Sequence, residues 1–397
     1  MKENRKQILM VFNEIPYPPV HGGSLRVLNL LKELSKYYEV TLLTLPNKRG
    51  NFDLKELEKV CKVILAPCFV EEFFKKPRFI SYFTRAAYFK FERLFSPFKS
   101  KLVMNHNYQA FCLNKALKKI LNEKKFYYIQ AEHSYLGNAV DEIKSKAVKI
   151  LDFHNVHSYM KNNPREISLI RKYERVLASK FDLAICCSEI DKKRLESLGY
   201  KKILVVPNGA DTEYFRKVPY SKPSSLLFVG DMTYWPNKEG INYFFNEVYP
   251  LLSPDIRINL IGKYKREDFN EKRKLKNVRF LGFVEDIRPY LIGSVFICPL
   301  LNGGGTRLKI LTAFSSGVPV VSTSKGAEGI EYKDNVNILI ADDPESFAKR
   351  IIELLNEPKK TDRIRKNSRR LAESKYKWGK IVKKYCQELE QMKNEKE

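Results

Sequence analysis

Three consecutive glycines followed by two cations form the segment best suited to binding an anion. Residues 302–309 read Asn-Gly-Gly-Gly-Thr-Arg-Leu-Lys and lead into a predicted helix over residues 307–316. Glycines let the backbone approach a ligand, and the free amides at a helix start attract negative charge. The segment therefore predicts an anion site, with a flexible turn as the alternative. The site would contain Gly303, Gly304, Gly305, Thr306 as the N-cap, Arg307 and Lys309.

A second glycine-containing loop lies near the start of the chain. Gly22 and Gly23 follow a predicted strand over residues 7–13 and precede a predicted helix over residues 24–37, with Arg26 in its first turn. Backbone amides at this helix start would face a ligand. The alternative is an ordinary tight turn, because a lone glycine pair is weak evidence.

Polar side chains follow two predicted strands of the first half. Glu132 and His133 lie at the end of one strand, and Asp152, His154, Asn155 and His157 lie at the end of the next. A Glu or His at such a position can accept a proton or bind a sugar hydroxyl, although a polar residue satisfied within the fold is the alternative. No metal site is predicted, because His154 and His157 lack a convincing third and fourth ligand.

Short β-rich runs alternate with longer helical segments along the chain. Continuous Val, Ile and Leu strands separated by helices indicate parallel sheets covered on both faces. Ligands bind such sheets outside the carboxyl ends of the strands, so the loop over residues 230–238, with Gly230 and Asn237, is a further candidate. The predicted strands cover residues 7–13, 40–45, 126–131, 148–153, 183–187, 203–206, 226–229, 256–261, 278–281, 295–299, 318–322 and 338–340.

The composition limits the class of protein. The chain has 397 residues, is 44% hydrophobic and carries a formal net charge of +26, which fits two basic folded domains divided by the proline-rich stretch 207–225. Its seven cysteines form no C-x-x-C pair, which predicts reduced thiols in a cytosol. We recognise no secretory leader and no membrane-spanning run. Nucleic-acid binding would rest on charge alone.

One basic aromatic segment suggests a membrane partner. Residues 73–101 contain eight Phe, eight Lys or Arg and a single acid, Glu92. On a helix, the rings would reach the acyl boundary while the cations meet anionic head groups. The alternative is a helical insertion that packs on its own domain.

Short motifs keep a constant order over nearly the whole chain. They are Pro18-Pro19, Gly22-Gly23 with Arg26, His154-Asn155-Val156, Tyr173-Glu174, Ser188-Glu189, residues 206–215, 228–232, 236–237, 281–286, 304–311, 317–321 and 327–329. Together they resemble the family-4 (group 1) glycosyltransferases. The resemblance implies a GT-B fold of the α/β class, with two Rossmann-like, doubly wound domains facing a cleft. Residues 1–206, with 376–397 crossing back, would bind the acceptor, and residues 207–375 would bind the nucleotide-sugar.

The resemblance also implies roles for individual residues. The donor side would comprise Gly230, Asn237, Phe283 and Val284 near the nucleobase, residues 303–307, Lys309 and Thr312. The acceptor side would comprise Gly22, Gly23, Arg26, His154 and Asn155, with the donor phosphate as the alternative ligand of Gly22 and Gly23. Glu132 or His133 would position the acceptor hydroxyl as catalytic residues.

Of two positions that usually carry glutamate, Thr312 departs from the family pattern, whereas Gly304 resembles a branch of the family. Thr312 stands where the family usually has a glutamate that binds the ribose hydroxyls, and Gly304 stands where many members have the other glutamate of the pair. One neutral hydrogen bond in place of two charge-assisted ones costs about 1–3 kcal/mol of binding. The Arg and Lys that many relatives carry after strand 226–229 are also absent, so Arg307 and Lys309 would take over the phosphate charge.

We expect an enzyme that moves a hexosyl-type sugar from a nucleotide-diphosphate-sugar to a glycan or lipid-linked acceptor, with retention, in cell-surface polysaccharide or glycolipid synthesis. It would use no cofactor and no metal, bind no nucleic acid, and act in the cytoplasm or peripherally at the inner face of the cell membrane. The alternative is a non-catalytic GT-B relative that serves as a binding partner in a glycan-building complex, because both glutamates are replaced. A nucleic-acid binder, suggested by the net charge, is the third hypothesis.

Overall fold

The chain folds into two compact units, Met1–Val206 with Val382–Glu397, and Pro207–Ile381. The computed structural model describes residues 5–19, 21–46, 54–67, 101–160, 163–215, 219 and 221–394, with the backbone alone at 101–108 and 394. The basic aromatic segment 73–101 lies outside the described residues, except for the backbone of its last residue. No helix in the described ranges is long and apolar enough to cross a bilayer.

Thirteen strands are found in the described residues. They are β1 (Gln7–Val11), β2 (Glu39–Thr44), β3 (Lys62–Leu65), β4 (Tyr128–Glu132), β5 (Val148–Phe153), β6 (Leu183–Cys186), β7 (Ile203–Val205), β8 (Ser225–Val229), β9 (Arg257–Ile261), β10 (Val278–Gly282), β11 (Ser294–Cys298), β12 (Val320–Ser322) and β13 (Leu339–Ile340).

Helices separate most of these strands, and the last three helices have no strand after them. They are α1 (Gly22–Leu34), α2 (Leu54–Glu58), α3 (Lys101–Glu123), α4 (Pro164–Leu177), α5 (Glu189–Ser197), α6 (Trp235–Tyr243), α7 (Arg288–Leu291), α8 (Leu308–Ser316), α9 (Pro344–Asn356), α10 (Pro358–Lys375) and α11 (Trp378–Asn394).

Both units are built on a sheet whose neighbouring strands are all parallel. The order is β3-β2-β1-β4-β5-β6-β7 in the first unit and β10-β9-β8-β11-β12-β13 in the second. Each sheet starts near its centre, winds outward to one edge and then returns to fill the other side. This doubly wound order confirms the predicted fold class, and it creates a switch point beside the first strand of each unit, where ligands bind in such folds.

The two faces of the first sheet differ in chemistry. Ile129 of β4 and Leu151 of β5 belong to an apolar core with residues of α3 and α4. Side chains alternate along a strand, so Gln130 and Glu132 of β4 lie on the opposite face. Glu132 pairs in register with Asp152 of β5, which places two carboxylates side by side on that face.

The last helix packs on the polar face of the first sheet. The hydroxyl of Tyr385 donates a hydrogen bond to Gln130 Oε1 at 2.7 Å. The hydroxyl of Tyr128 donates to the carbonyl of Leu389 at 3.1 Å. Both tyrosines are wholly buried, so this part of α11 belongs to the core of the first unit.

Three local predictions are corrected by the structure. Strand β3 was not predicted, because a four-residue, half-exposed edge strand carries a weak hydrophobic signal. Helix α1 begins at Gly22 because the His21 side chain caps it, accepting from the amide of Ser24 at 3.2 Å. Helix α8 begins at Leu308 with Arg307 in the N-cap position and no side-chain cap, so the prediction that Thr306 is the N-cap was wrong.

Candidate functional site

In the second unit, the structure brings together two of the predicted loops at the carboxyl ends of β8 and β11. Lys309 Nζ donates a hydrogen bond to Asn237 Oδ1 at 2.8 Å. Asn237 Nδ2 in turn donates to the carbonyl of Asp231 at 2.7 Å. The ammonium also lies 4.2 Å from the centre of the Phe228 ring. The Asn237 carboxamide therefore ties the loop after β8 to the start of α8.

The ammonium of Lys309 is a cation without a counter-ion in the described part of the chain. Its neighbours there are the neutral amide of Asn237 and the face of Phe228. Burial, together with the charge of Arg307, lowers the pKa of Lys309 to about 8. A desolvated cation of this kind gains most from an anionic ligand, since the anion restores the lost solvation and raises the pKa again.

Two glycines leave the space that the Lys309 ammonium and the loop after β8 occupy. A Cβ atom on Gly230 would lie 2.6 Å from Lys309 Nζ, and one on Gly262 would lie 2.0 Å from the carbonyl oxygen of Gly230. Gly262 also has a φ of +131°, which side chains disfavour. The backbone itself therefore forms the floor beneath the ammonium of Lys309.

Arg307 holds the triple-glycine loop from inside. Its side chain is only 8% exposed, and its guanidinium donates to the carbonyl of Gly304 at 2.7 Å and to that of Asn302 at 3.4 Å. Its buried Nε atom has no hydrogen-bond partner in the described residues. Gly303 and Gly305 have φ values of +101° and +77°, so the loop needs glycine at both positions. Arg307 thus both shapes the loop and adds positive charge beneath it.

The other predicted donor residues differ in exposure. Phe283 follows the end of β10 with 79% of its side chain exposed, whereas Val284 is half-buried. Thr306 is buried. Thr312 is half-buried on α8, and its hydroxyl makes no hydrogen bond within the described ranges. An exposed ring beside a sheet edge offers a stacking surface.

In the first unit, a buried polar network lies beneath the carboxyl ends of β4 and β5. Arg26 of α1 binds both carboxylate oxygens of Asp152 at 2.8 and 3.1 Å and also the carbonyl of Val206 at 2.9 Å. His154 Nε2 lies 2.8 Å from Glu132 Oε2. Asp152, Glu132 and Arg26 are wholly buried, so Arg26 neutralises Asp152 while Glu132 has no cation of its own in this network.

Burial controls the protonation of this network. It raises the pKa of Glu132 to about 7 and that of Asp152 to about 6, against the opposing effect of Arg26. It lowers the pKa of His154 to about 3. The imidazole is therefore neutral, and where Glu132 is ionised the imidazole proton is on Nε2, facing the carboxylate. The Nδ1 atom of His154 is then an acceptor, and it is buried without a hydrogen-bond partner in the described residues.

Two predicted ligand contacts do not fit this geometry. Glu132 was predicted to position an acceptor hydroxyl, but both of its oxygens are occupied, by Gln130 at 2.7 Å and by His154. Arg26 was predicted to contact the acceptor, but its guanidinium is taken up by Asp152 and Val206. Since neither side chain reaches solvent, both act on a ligand only through their neighbours.

The same network contains a group of possible metal ligands that the sequence did not reveal. Glu132, Asp152 and His154 each present a ligand atom within 4.8 Å of the others. The geometry suits a network better than a cation, because Arg26 already binds both oxygens of Asp152. The signal in the sequence was that two predicted strands both end in polar residues, but the pairing of Glu132 with Asp152 is set by the register of β4 with β5.

The structure also brings His133 and the Gly22–Gly23 loop together. A Cβ atom on Gly23 would lie 3.3 Å from His133 Nε2, and the rings of His133 and His154 are 3.7 Å apart. Gly22 is exposed at the start of α1, and Asn155 is half-buried beside His154. His133 has a φ of +72°, a strained conformation of the kind that clusters at functional sites.

Glu174 supports the neighbouring loop, a role that sequence reasoning missed. It is wholly buried on α4, and its carboxylate accepts from the backbone amides of His157 at 2.9 Å and Ser158 at 3.3 Å. Burial raises its pKa to about 7. The sequence offered Glu174 only as part of a Tyr-Glu motif.

Two family profiles match the chain. The one described as Glycosyltransferase Family 4 matches residues 20–214, and the one described as Glycosyl transferases group 1 matches residues 223–357. The unmatched residues are the two ends and a short connection between the units.

Two relatives with curated descriptions are each 26% identical to this chain over the aligned residues. The chain is 26% identical over 381 residues to an uncharacterized 44.6 kDa protein in the cps region of Klebsiella pneumoniae, covering 87% of this chain and 90% of the relative. It is 26% identical over 226 residues to an uncharacterized glycosyltransferase of Methanosarcina acetivorans, covering 52% and 56%.

Solved structures share the fold at lower identity. Anabaena Alr3699/HepE in complex with UDP and glucose aligns with a TM-score of 0.69 at 15% identity, covering 97% of this chain and 100% of that one. WaaG, a glycosyltransferase involved in lipopolysaccharide biosynthesis, aligns with a TM-score of 0.64 at 13% identity, covering 95% and 98%. These alignments are evidence for the architecture.

Proposed function

Because the chain belongs to the family-4, group 1 glycosyltransferases, we propose that it transfers a hexosyl-type sugar from a nucleotide-diphosphate-sugar to a glycan or lipid-linked acceptor, with retention of configuration. The observation that carries this proposal is the desolvated ammonium of Lys309, which has no counter-ion in the described residues and lies between two loops at the carboxyl edge of a parallel sheet. A diphosphate supplies the negative charge that this position lacks.

The leaving diphosphate is the group that the second unit would stabilise. Lys309, the charge of Arg307 and the backbone amides of residues 303–306 would neutralise the charge that develops as the sugar departs, without cofactor or metal. The exposed ring of Phe283 would meet the nucleobase, and Thr312 would bind the ribose. HepE was crystallised with UDP and with UDP-glucose, so uridine nucleotides are the first donors to test.

The acceptor would be held by the first unit. His154 offers an unsatisfied acceptor atom, Nδ1, and His133 and Asn155 lie beside it near the exposed Gly22. Because Nδ1 is itself buried, the neighbouring loop must move for a sugar hydroxyl to reach it, and the new hydrogen bond would satisfy a polar atom whose isolation is otherwise costly. In this arrangement His154 and His133 contact the substrate, while Glu132 orients His154.

A polysaccharide or glycolipid pathway is the setting that the relatives favour. The Klebsiella pneumoniae relative belongs to a cps region and WaaG acts in lipopolysaccharide biosynthesis. We propose that this chain acts in the cytoplasm or at the inner face of the cell membrane, where the basic segment 73–101 would meet anionic lipid. The protein should then float with anionic liposomes but not with neutral ones, and failure to float with either would refute the membrane part.

The direct test is a donor screen read by mass spectrometry. The full chain is incubated with a panel of uridine, guanosine and adenosine diphosphate sugars, and the release of each nucleoside diphosphate is measured with and without lipid-linked acceptors. We expect release from one nucleotide class, increased by acceptor.

The absence of the usual glutamates favours a second candidate. Gly304 and Thr312 provide no carboxylate for the sugar or the ribose, as in a binding partner that has lost catalysis. No release from any donor, combined with measurable nucleotide binding, would support this non-catalytic role and contradict the transferase.

A further inference from the structure

A hydroxyl on the last helix reaches the network beneath His154. Tyr385 of α11 donates to Gln130 Oε1 at 2.7 Å. Gln130 Nε2 donates to Glu132 Oε1 at 2.7 Å, and Glu132 Oε2 lies 2.8 Å from His154 Nε2. Three consecutive hydrogen bonds therefore connect the C-terminal helix to the imidazole that the proposed function places against substrate.

The tyrosine hydroxyl decides which end of the Gln130 carboxamide faces Glu132. A hydroxyl that donates to the carbonyl oxygen leaves the NH₂ group to face the carboxylate. Without this donor, the buried carbonyl loses its partner and the amide is free to turn its oxygen towards Glu132. That orientation suits only a protonated Glu132, because two acceptors cannot share a bond without a proton.

The state of Glu132 in turn decides the tautomer of His154. An ionised Glu132 accepts the proton on Nε2 and leaves Nδ1 as an acceptor. A protonated Glu132 donates to Nε2 and places the imidazole proton on Nδ1, which then repels a donating hydroxyl. Partners of this kind fix the tautomer and orientation of a functional histidine.

We propose that Tyr385 is a positioning residue for the sugar-transfer reaction, acting through Gln130 and Glu132 to keep His154 Nδ1 available to a hydroxyl of the sugar substrate. The inference rests on the proposed function. It concerns a residue more than 230 positions from His154 along the chain, on a helix that contributes no predicted ligand contact.

The surroundings of Glu132 and His154 offer few other groups that could produce the same effect. Asp152 and Arg26 form their own bidentate pair. Burial raises the pKa of the Cys187 thiol to about 12, so it is neutral near neutral pH. The other titratable groups near the pair in the described residues include His133, His21 and Tyr135, and Asp152 Oδ2 lies 3.7 Å from His154 Nε2.

The chain contains a matched control for Tyr385. Tyr128 is equally buried, lies two residues before Gln130, and donates its hydroxyl to α11 at the carbonyl of Leu389. Its hydroxyl makes no described contact with Gln130 or Glu132. Tyr128 also donates to Glu390 Oε1 at 3.2 Å. Tyr128→Phe therefore removes the contacts of this hydroxyl with α11 but leaves the path to His154 intact.

The experiment compares full-length parent, Tyr385→Phe and Tyr128→Phe. Sugar transfer and donor hydrolysis are measured from pH 5 to 9, and UDP affinity is measured by calorimetry. For Tyr385→Phe we expect kcat to fall about tenfold and the acidic limb of the pH profile to move upward by about one unit, with UDP affinity unchanged. Tyr128→Phe should retain the parent limb. The proposal would be overturned if the acidic limb of the pH profile of Tyr385→Phe stayed where it is in the parent, or if that of Tyr128→Phe moved by the same amount.

A second measurement separates this proposal from the proposed function. Histidine ¹⁵N–¹H spectra, assigned with His154→Gln, report the tautomer of His154 without turnover. We expect the Nε2–H tautomer in the parent and loss of that tautomer in Tyr385→Phe and in Gln130→Met, with no additive effect in the double variant. If the parent transfers no sugar but the tautomer shifts as expected, the transferase assignment fails while the contact path stands. If the tautomer is unchanged, the positioning role fails.

Discussion

Lys309 is the residue whose chemistry most strongly constrains function. Its ammonium is held between Asn237 and Phe228 with its pKa lowered to about 8. An amine in this state is protonated at neutral pH but loses its charge a short way above it. A lysine with a purely structural role would instead be expected to have a carboxylate partner.

The affinity for a nucleoside diphosphate should therefore depend on pH. A lowered pKa means that the binding-competent cation is fully present below about pH 8 and is lost as the pH rises through that value. The phosphates are already ionised in this range, so UDP affinity should fall from pH 7 to pH 9.5. Calorimetric titration across this range is the measurement. In Lys309→Arg the cation persists, so a fall of equal size in that variant would contradict the explanation.

Thr312 offers a gain-of-function test. Replacing it with Glu should supply two charge-assisted hydrogen bonds to a ribose and tighten UDP binding by about 1–3 kcal/mol. Thr312→Gln is the control, because it has the same length without the charge. Equal or weaker binding by Thr312→Glu relative to the parent would show that position 312 does not face the ribose.

The elements illustrate what sequence patterns reveal. Strand β5 was predicted over the residues where it is found, Val148–Phe153, because four of its six residues are apolar and a polar stretch follows it. The start of α1 was misplaced because His21 is an unusual capping residue. The network below His154 was not predictable, since it depends on the register of Glu132 with Asp152 and on a tyrosine from a distant helix.

The loop between β8 and α6 depends on glycine in the neighbouring strand turn. In Gly262→Ala, the new Cβ would lie 2.0 Å from the carbonyl oxygen of Gly230 at a φ of +131°, so the floor beneath Lys309 must move. We expect UDP affinity to fall at least tenfold, with a lower melting temperature. Gly293→Ala also places alanine at a positive φ, here +64°, but with milder strain and without a contact closer than 3.4 Å, and it should retain the parent affinity. If both variants lost UDP affinity to a similar extent, backbone strain alone would explain the effect, and the floor beneath Lys309 would not be needed.

At the scale of the whole molecule, the chain divides at Val206 and again at Val382. The family and the doubly wound order of both sheets were recognisable from sequence, because hydrophobic strands and glycine motifs recur in order. The identities of the sugar and the acceptor could not be recognised from sequence, because they depend on the positions of side chains in three dimensions.

The last residues of the chain, Val382–Glu397, belong to the first unit. The stability of that unit should therefore depend on them. Removing residues 382–397 takes away Tyr385, Leu389 and other buried side chains. We expect the first unit to lose stability by several kcal/mol, about 2–5 for each large core side chain before relaxation. Limited proteolysis followed by mass spectrometry should show early cleavage within residues 1–206 and a resistant fragment near 207–381. Unchanged resistance of the first unit would mean that the helix is dispensable.

Calorimetric titration of UDP into Lys309→Met is the most direct test of diphosphate binding at Lys309. The matched control is Lys238→Met, which removes a lysine that pairs with Asp268 on the neighbouring surface. We predict that Lys309→Met weakens UDP binding by about 10–100-fold, corresponding to one charge-assisted contact, while Lys238→Met binds as the parent does. Parent-like affinity in Lys309→Met would contradict the proposed site.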